Sequence, residues 1–167
     1  MALVATLALA ACSRTPQAEV IAADGALCDL TRRLAANDLS VNCLLGPEDD
    51  PHQLQLTPEQ TRQIRQAQLV LINGYGLTPA LERLPRAVKV AEQAVPDSPE
   101  LSPLPGDIHG HAHGDRDPHV WHDPRQAAAM VTVVGQQLAA LDPKAARRIK
   151  ARAEAIQSSL KALHSWN

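Results

Sequence analysis

Leu69-Val70-Leu71-Ile72-Asn73-Gly74-Tyr75-Gly76 is a run of four aliphatic residues stopped by a glycine-bracketed break. An unbroken apolar run of strand length suits a strand covered on both faces, as in a parallel sheet with helices above and below. The Asn-Gly-Tyr-Gly step ends it. Upstream, Glu19-Val20-Ile21-Ala22-Ala23 predicts a first strand. After the Asp24-Gly25 break, Leu27, Leu30, Thr31 and Leu34 recur at helical spacing. Leu39, Val41, Cys43 and Leu45 then alternate as a half-buried strand does. Thr57-Pro58-Glu59-Gln60 supplies an N-cap, a first-turn proline and a glutamine three residues after the cap, so a helix begins there and leads into the quoted strand.

Downstream, Thr78-Pro79 predicts another helix and Ala87-Val88-Lys89-Val90-Ala91 a fourth strand. Residues 96–118 carry five prolines and cannot continue regular structure for long. Asp123-Pro124, followed by Gln126, and Asp142-Pro143 each place a capping carboxylate before a first-turn proline. In the first of these helices Ala127, Met130, Val131, Val134, Leu138 and Leu141 make one apolar stripe. In the second, Ala146, Ile149, Ala153, Ile156, Leu160 and Leu163 do so, and from Pro143 to Trp166 the helix would run about 36 Å. The predicted fold is α/β: a parallel sheet of about four strands flanked by helices, followed by a long helix.

The chain has 167 residues, enough for one domain or for one lobe and part of another. Lys plus Arg number 16 against 18 Asp plus Glu, which leaves no basic footprint for nucleic acid. With no Phe, one Tyr and two Trp, the core must be built from Leu, Val, Ile and Ala. Met1–Ala11 is a short apolar run, too short to span a bilayer, and Leu9-Ala10-Ala11-Cys12 resembles a bacterial lipobox. Residues 1–11 are therefore read as a signal peptide, Cys12 as a lipidated anchor and residues 12–18 as a tether. No basic residue precedes the apolar run, so the positive start of the signal lies upstream or the signal is imperfect. Cys28 and Cys43 remain as an even pair in an oxidising exported compartment. A disulfide between them would close a loop of about 15 residues and add roughly 3 kcal/mol. Two free buried thiols fit the sequence equally well.

Five of the seven histidines fall between His109 and His122. Imidazole suits Zn(II), Cu(II), Ni(II) and Mn(II), and clustering brings several donors to one point at little cost. His109, His111 and His113 alternate with Gly, Ala and Gly. Ordering such a segment costs roughly 1–2 kcal/mol per residue, so these three are expected to bind loosely, as accessory donors or as a solvated loop. His119 and His122 sit on stiffer chain, between Pro118 and the Asp123-Pro124 cap. His52 follows a strand and precedes a capped helix, where open α/β sheets gather their ligands.

Three strings now stand together: Leu45-Gly46-Pro47-Glu48-Asp49-Asp50-Pro51-His52, Ala67-Gln68-Leu69-Val70-Leu71-Ile72-Asn73-Gly74-Tyr75-Gly76-Leu77, and Asp117-Pro118-His119-Val120-Trp121-His122-Asp123-Pro124. In this order, behind a lipobox and a His-rich loop, they resemble the zinc and manganese solute-binding proteins of bacterial ABC transporters, the metal-binding lipoprotein or adhesin family. The resemblance covers residues 12–167. It implies two α/β lobes joined by one long rigid helix, with the metal held between them. On that basis residues 19–141 are a first lobe, with its His-rich loop near 107–117, and residues 142–167 begin the interlobe helix, the second lobe being absent from the sequence. The first lobe's two ligands map to His52 and His119, and His122 is either an accessory donor or a surface side chain. The resemblance further implies a permease and its ATPase as partners, a monomer, and an exported lipoprotein of the periplasm or cell surface. The His-rich loop resembles the zinc branch of the family more than the manganese branch, which implies Zn(II) as the transported ligand with Mn(II) as the alternative.

Two other readings compete. A lone lobe would buffer zinc loosely through its loop, more weakly than micromolar. A metal hydrolase would use the same histidines with Glu48 or Asp50 as general base, but no His-Glu-x-x-His spacing supports an enzyme.

Overall fold

The computed structural model describes residues 19–46, 48–101 and 116–166. The expected leader and tether, Cys12, and the accessory candidates His109, His111 and His113 lie outside the described residues. Four parallel strands, β1 (Val20–Ala22), β2 (Val41–Cys43), β3 (Leu69–Ile72) and β4 (Ala87–Lys89), form one sheet in the order β2-β1-β3-β4. The helices are α1 (Gly25–Ala35), α2 (Pro58–Gln66), α3 (Val90–Ala94), α4 (Pro124–Leu141) and α5 (Ala146–Trp166).

Strand alternation divides the core into two layers. Val20, Ala22 and Leu71 pack with Leu27 and Leu34 of α1, Met130, Val134 and Leu138 of α4, and Ile149 and Ala153 of α5. Ile21, Ala23, Val70 and Ile72 face the opposite layer, with Ile64 of α2, Ala67 and Leu81. The quoted apolar run is thus covered on both sides because its successive side chains serve different helices. The Thr57 cap and its reciprocal bond with Gln60 start α2, and Asp123 starts α4.

Two expectations are corrected. Thr78-Pro79 opens no helix: residues 78–84 are successive three-residue turns, with Leu81 N–H donating to Thr78 O (2.9 Å) and Leu84 N–H to Leu81 O (3.0 Å). Pro85 disfavours helical backbone at Leu84, so the segment is too short to recover the cost of nucleation. The fourth strand stops at Lys89, and Val90 and Ala91 begin α3 instead. Ile72 is the last residue of β3 to pair with β4, opposite Lys89. Beyond it, Ala91 N–H turns to donate to Asn73 O at 2.8 Å. Smaller shifts follow the same logic of available partners. β1 spans Val20–Ala22, and regular α5 begins at Ala146, behind a turn capped by Asp142.

The break after β3 is a left-handed turn: Gly74, Tyr75 and Gly76 have φ of 92°, 54° and 74°. At φ 92° any side chain at Gly74 would be strained, and its Cβ would also displace the Glu92 side chain, 2.9 Å away. Glu92 in turn accepts from Tyr75 N–H at 2.9 Å. Cys28 of α1 and Cys43 of β2 are joined in a disulfide, with Cα atoms 5.6 Å apart. The start of α5 is fastened to α1 through Asp38, which accepts from Arg148 (2.6 Å) and Arg152, and through Arg152 donating to Leu34 O at 2.7 Å. These guanidiniums, Arg148 first, hold the Asp38 carboxyl down to about 2. The apolar stripe of α5 passes from buried Ile149 and Ala153 to exposed Leu163 and Trp166. No described helix is long and apolar enough to cross a membrane.

Candidate metal centre

The chain turns from β1 outward to β2 on one side and to β3 on the other, so the sheet has its switch point between β1 and β3. Loops at the carboxyl ends of such strands form the crevice where ligands bind. His52 arrives there from β2, in a 3-10 turn over Pro51–Gln53. Asp50 holds this turn, its Oδ1 accepting from His52 N–H (2.9 Å) and its Oδ2 from the Gln53 side chain (2.8 Å). His119 immediately precedes a second 3-10 turn, Val120–His122, which leads into α4.

The two rings are brought together, with centroids 5.7 Å apart and planes at 64°. Zinc bonds imidazole nitrogen at about 2.0–2.1 Å, which puts two ring centres on one tetrahedral zinc about 5 Å apart. The observed spacing is close to what a shared ion requires. Asp117 orients the second ring: its Oδ1 accepts from His119 N–H at 2.9 Å and lies 2.8 Å from Nδ1. A carboxylate in that place assigns the proton to Nδ1 and makes Nε2 the lone-pair nitrogen, as in carboxylate–histidine–metal arrangements. Both side chains of this pair are a little over a third exposed, so the site faces solvent.

His122 is exposed, and its ring lies at 6.5 Å from that of His119 and nearly parallel to it. Trp121 stands 5.4 Å from both. Asp123 is taken up by Arg125, whose side chain holds its carboxyl at about 2. Of the two bases considered for hydrolysis, Asp50 braces the His52 turn and Glu48 sits exposed on a turn. Among the described residues no three His, Cys, Asp or Glu side chains converge on one point, so His52 and His119 stand as a pair.

Residues 20–167 match the profile of the family described as zinc-uptake complex component A, periplasmic. The chain belongs to this family. Among its relatives, the zinc-binding protein TroA of Treponema pallidum is 27% identical over 153 residues, covering 88% of this chain and 47% of the relative. The manganese-binding lipoprotein MntA of Halalkalibacterium halodurans is 26% identical over 148 residues, covering 89% and 48%. The solved periplasmic zinc-binding protein TroA of T. pallidum superposes with a TM-score of 0.75 at 29% identity, over 90% of this chain and 53% of that one. The Fe(III)-bound YtgA of Chlamydia trachomatis shares the fold, with a TM-score of 0.74 at 23% identity. The chain thus spans about half the length of the family members it matches. These relatives are named as metal-binding proteins, and they divide among zinc, manganese and iron.

Sequence reasoning did not single out Asp117, which orients the His119 ring. Asp117 had a readable signal, a carboxylate two residues before a proline-stiffened histidine.

Proposed function

We propose that this chain is part of the solute-binding component of an ABC-type importer for a divalent metal, that Zn(II) is its cargo, and that His52 and His119 are two of the metal's ligands. The observation that carries this reading is the approach of the two rings to 5.7 Å at the carboxyl end of the sheet, one of them backed by Asp117. Two histidines leave about two positions of a tetrahedral zinc to be filled, and the second lobe of the family architecture would supply them. The component would be an exported, monomeric lipoprotein held at the membrane by Cys12, delivering its ion to a permease driven by an ATPase. The histidines His109, His111 and His113 would gather zinc loosely, with His122 as an accessory donor.

The histidine-dense sequence supports zinc over manganese. Imidazole serves both ions, but manganese leans further toward oxygen ligands, so a site rich in histidine favours zinc. The manganese reading keeps a specific support in the relatives named for that metal.

The test is chelator competition on purified protein. His52→Ala and His119→Ala should each weaken zinc binding at least 10-fold, while deletion of residues 109–113 changes it little. Equal loss from the loop deletion would replace this reading with loose buffering. Tighter binding of manganese than zinc would reassign the cargo, and zinc-dependent turnover of an ester or peptide would reopen the hydrolase.

A further inference from the structure

We infer that Asn73 and Ser98 form a buried clamp that positions His119 for the metal, an inference that rests on His119 being a ligand. Residues 116–119 belong to no helix and no named strand. Irregular backbone of this kind keeps one conformation only where specific hydrogen bonds hold it. The two carbonyls immediately before the ligand are both gripped by side chains from elsewhere in the fold. Asn73 Nδ2 donates to Pro118 O at 2.6 Å, and Ser98 Oγ donates to Asp117 O at 2.6 Å. Both residues are completely buried.

The grip is anchored at its far ends. Asn73 directly follows β3, its own carbonyl accepts from Ala91 N–H at 2.8 Å, and the left-handed Gly74-Tyr75-Gly76 turn fixes its direction. Ser98 lies just beyond α3, where Ser98 N–H donates to Val95 O at 3.1 Å. Around it Asp117 N–H donates to Pro99 O (2.8 Å) and Arg116 donates to Ser98 O (2.7 Å). The chain before His119 is therefore tied to β3 and to the segment behind α3, while the turn that carries His52 is held by Asp50.

A buried amide or hydroxyl stripped of its partner is unfavourable, so the clamp resists partial opening. Division of labour follows. The clamp places the backbone of His119, and Asp117 then sets the ring. With both in place, the ion meets a ligand that needs no further ordering. Asn73 and Ser98 touch no metal in this arrangement. They are positioning residues.

The clamp is tested with the full chain, labelled with nitrogen-15 in its histidines, as the parent, Ser98→Ala and Asn73→Asp. Imidazole spectra are recorded without metal and then through a titration with zinc chloride. In either variant the metal-free ring signals of His119 should move or broaden well beyond those of His52, whose ring shifts only as a neighbour 5.7 Å away. The zinc concentration that half-saturates His119 should rise roughly 10-fold or more, in the range of outer-shell changes at metal sites. If Asn73→Asp fails to fold, Ser98→Ala carries the test alone. Unchanged His119 signals with unchanged zinc saturation would overturn the clamp. Equal disturbance of His52 and His119 would also overturn it, by reducing both residues to general supports of the fold. Zinc that leaves His119 of the parent unshifted would instead remove the ligand assignment, and the clamp's function with it. That failure is visible before any variant is made.

Discussion

Reduction of the Cys28–Cys43 bridge should loosen the edge of the sheet that leads to His52. Among the described residues β2 is an edge strand of three residues paired with β1 alone, and the chain beyond it runs directly into the loop that carries the histidine. The bridge ties this strand to α1 across 15 residues of sequence. Restricting an unfolded loop of that length is worth about 3 kcal/mol in the chain-entropy account. For a folding unit of this size that corresponds to a fall in Tm of about 10 °C. Urea unfolding followed by circular dichroism should be compared for the oxidised parent, the parent in a phosphine reductant, and Cys28→Ala/Cys43→Ala with and without reductant. The reduced parent isolates the cross-link, because both sulfurs remain in place. It should lose about 3 kcal/mol, and the double variant should not respond to reductant. A loss below about 1 kcal/mol in the reduced parent would refute the claim that the bridge stabilises the lobe through loop closure.

Asp24 caps α1 by accepting from Leu27 N–H at 3.0 Å, yet burial pushes its carboxyl from 3.8 up to about 6. The folded chain therefore holds this proton more tightly than the unfolded chain. Its contribution is complete below pH 4, declines as pH rises to 6, and is then lost, a change of about 3 kcal/mol. Asp24→Asn keeps the cap and removes the titration, so it should be more stable than the parent at pH 7.5 and equal to it near pH 4 in urea unfolding. Ile149→Ala, at a fully buried position on α5, should cost about 3 kcal/mol, whereas Leu163→Ala at the exposed end of the same stripe should stay within about 0.5 kcal/mol.

Much of the architecture was legible because local and tertiary signals agree. Leu69–Ile72 reads as a doubly covered strand and is one, and the Thr57 and Asp123 caps start helices where their chemistry says they should. The misreadings fall where the decisive partner is distant in sequence. Thr78-Pro79 carries a helix start, but Pro85 cuts the segment short. The switch from strand to helix at Val90 depends on where β3 ends, which no window around Val90 contains. The pairing of His52 with His119 was reached through resemblance to a family. Their approach requires two loops separated by α2, β3, β4 and α3, and no periodicity encodes it. Asn73 announced itself only as part of a break, since its side chain's work is a single bond to Pro118.

The central claim is that His52 and His119 share one ion. Crystals of the zinc-loaded protein, measured at the zinc absorption edge, should show an anomalous peak about 2.0–2.1 Å from a ring nitrogen of each residue. A peak held by only one of the two, or by other histidines with this pair empty, would contradict it.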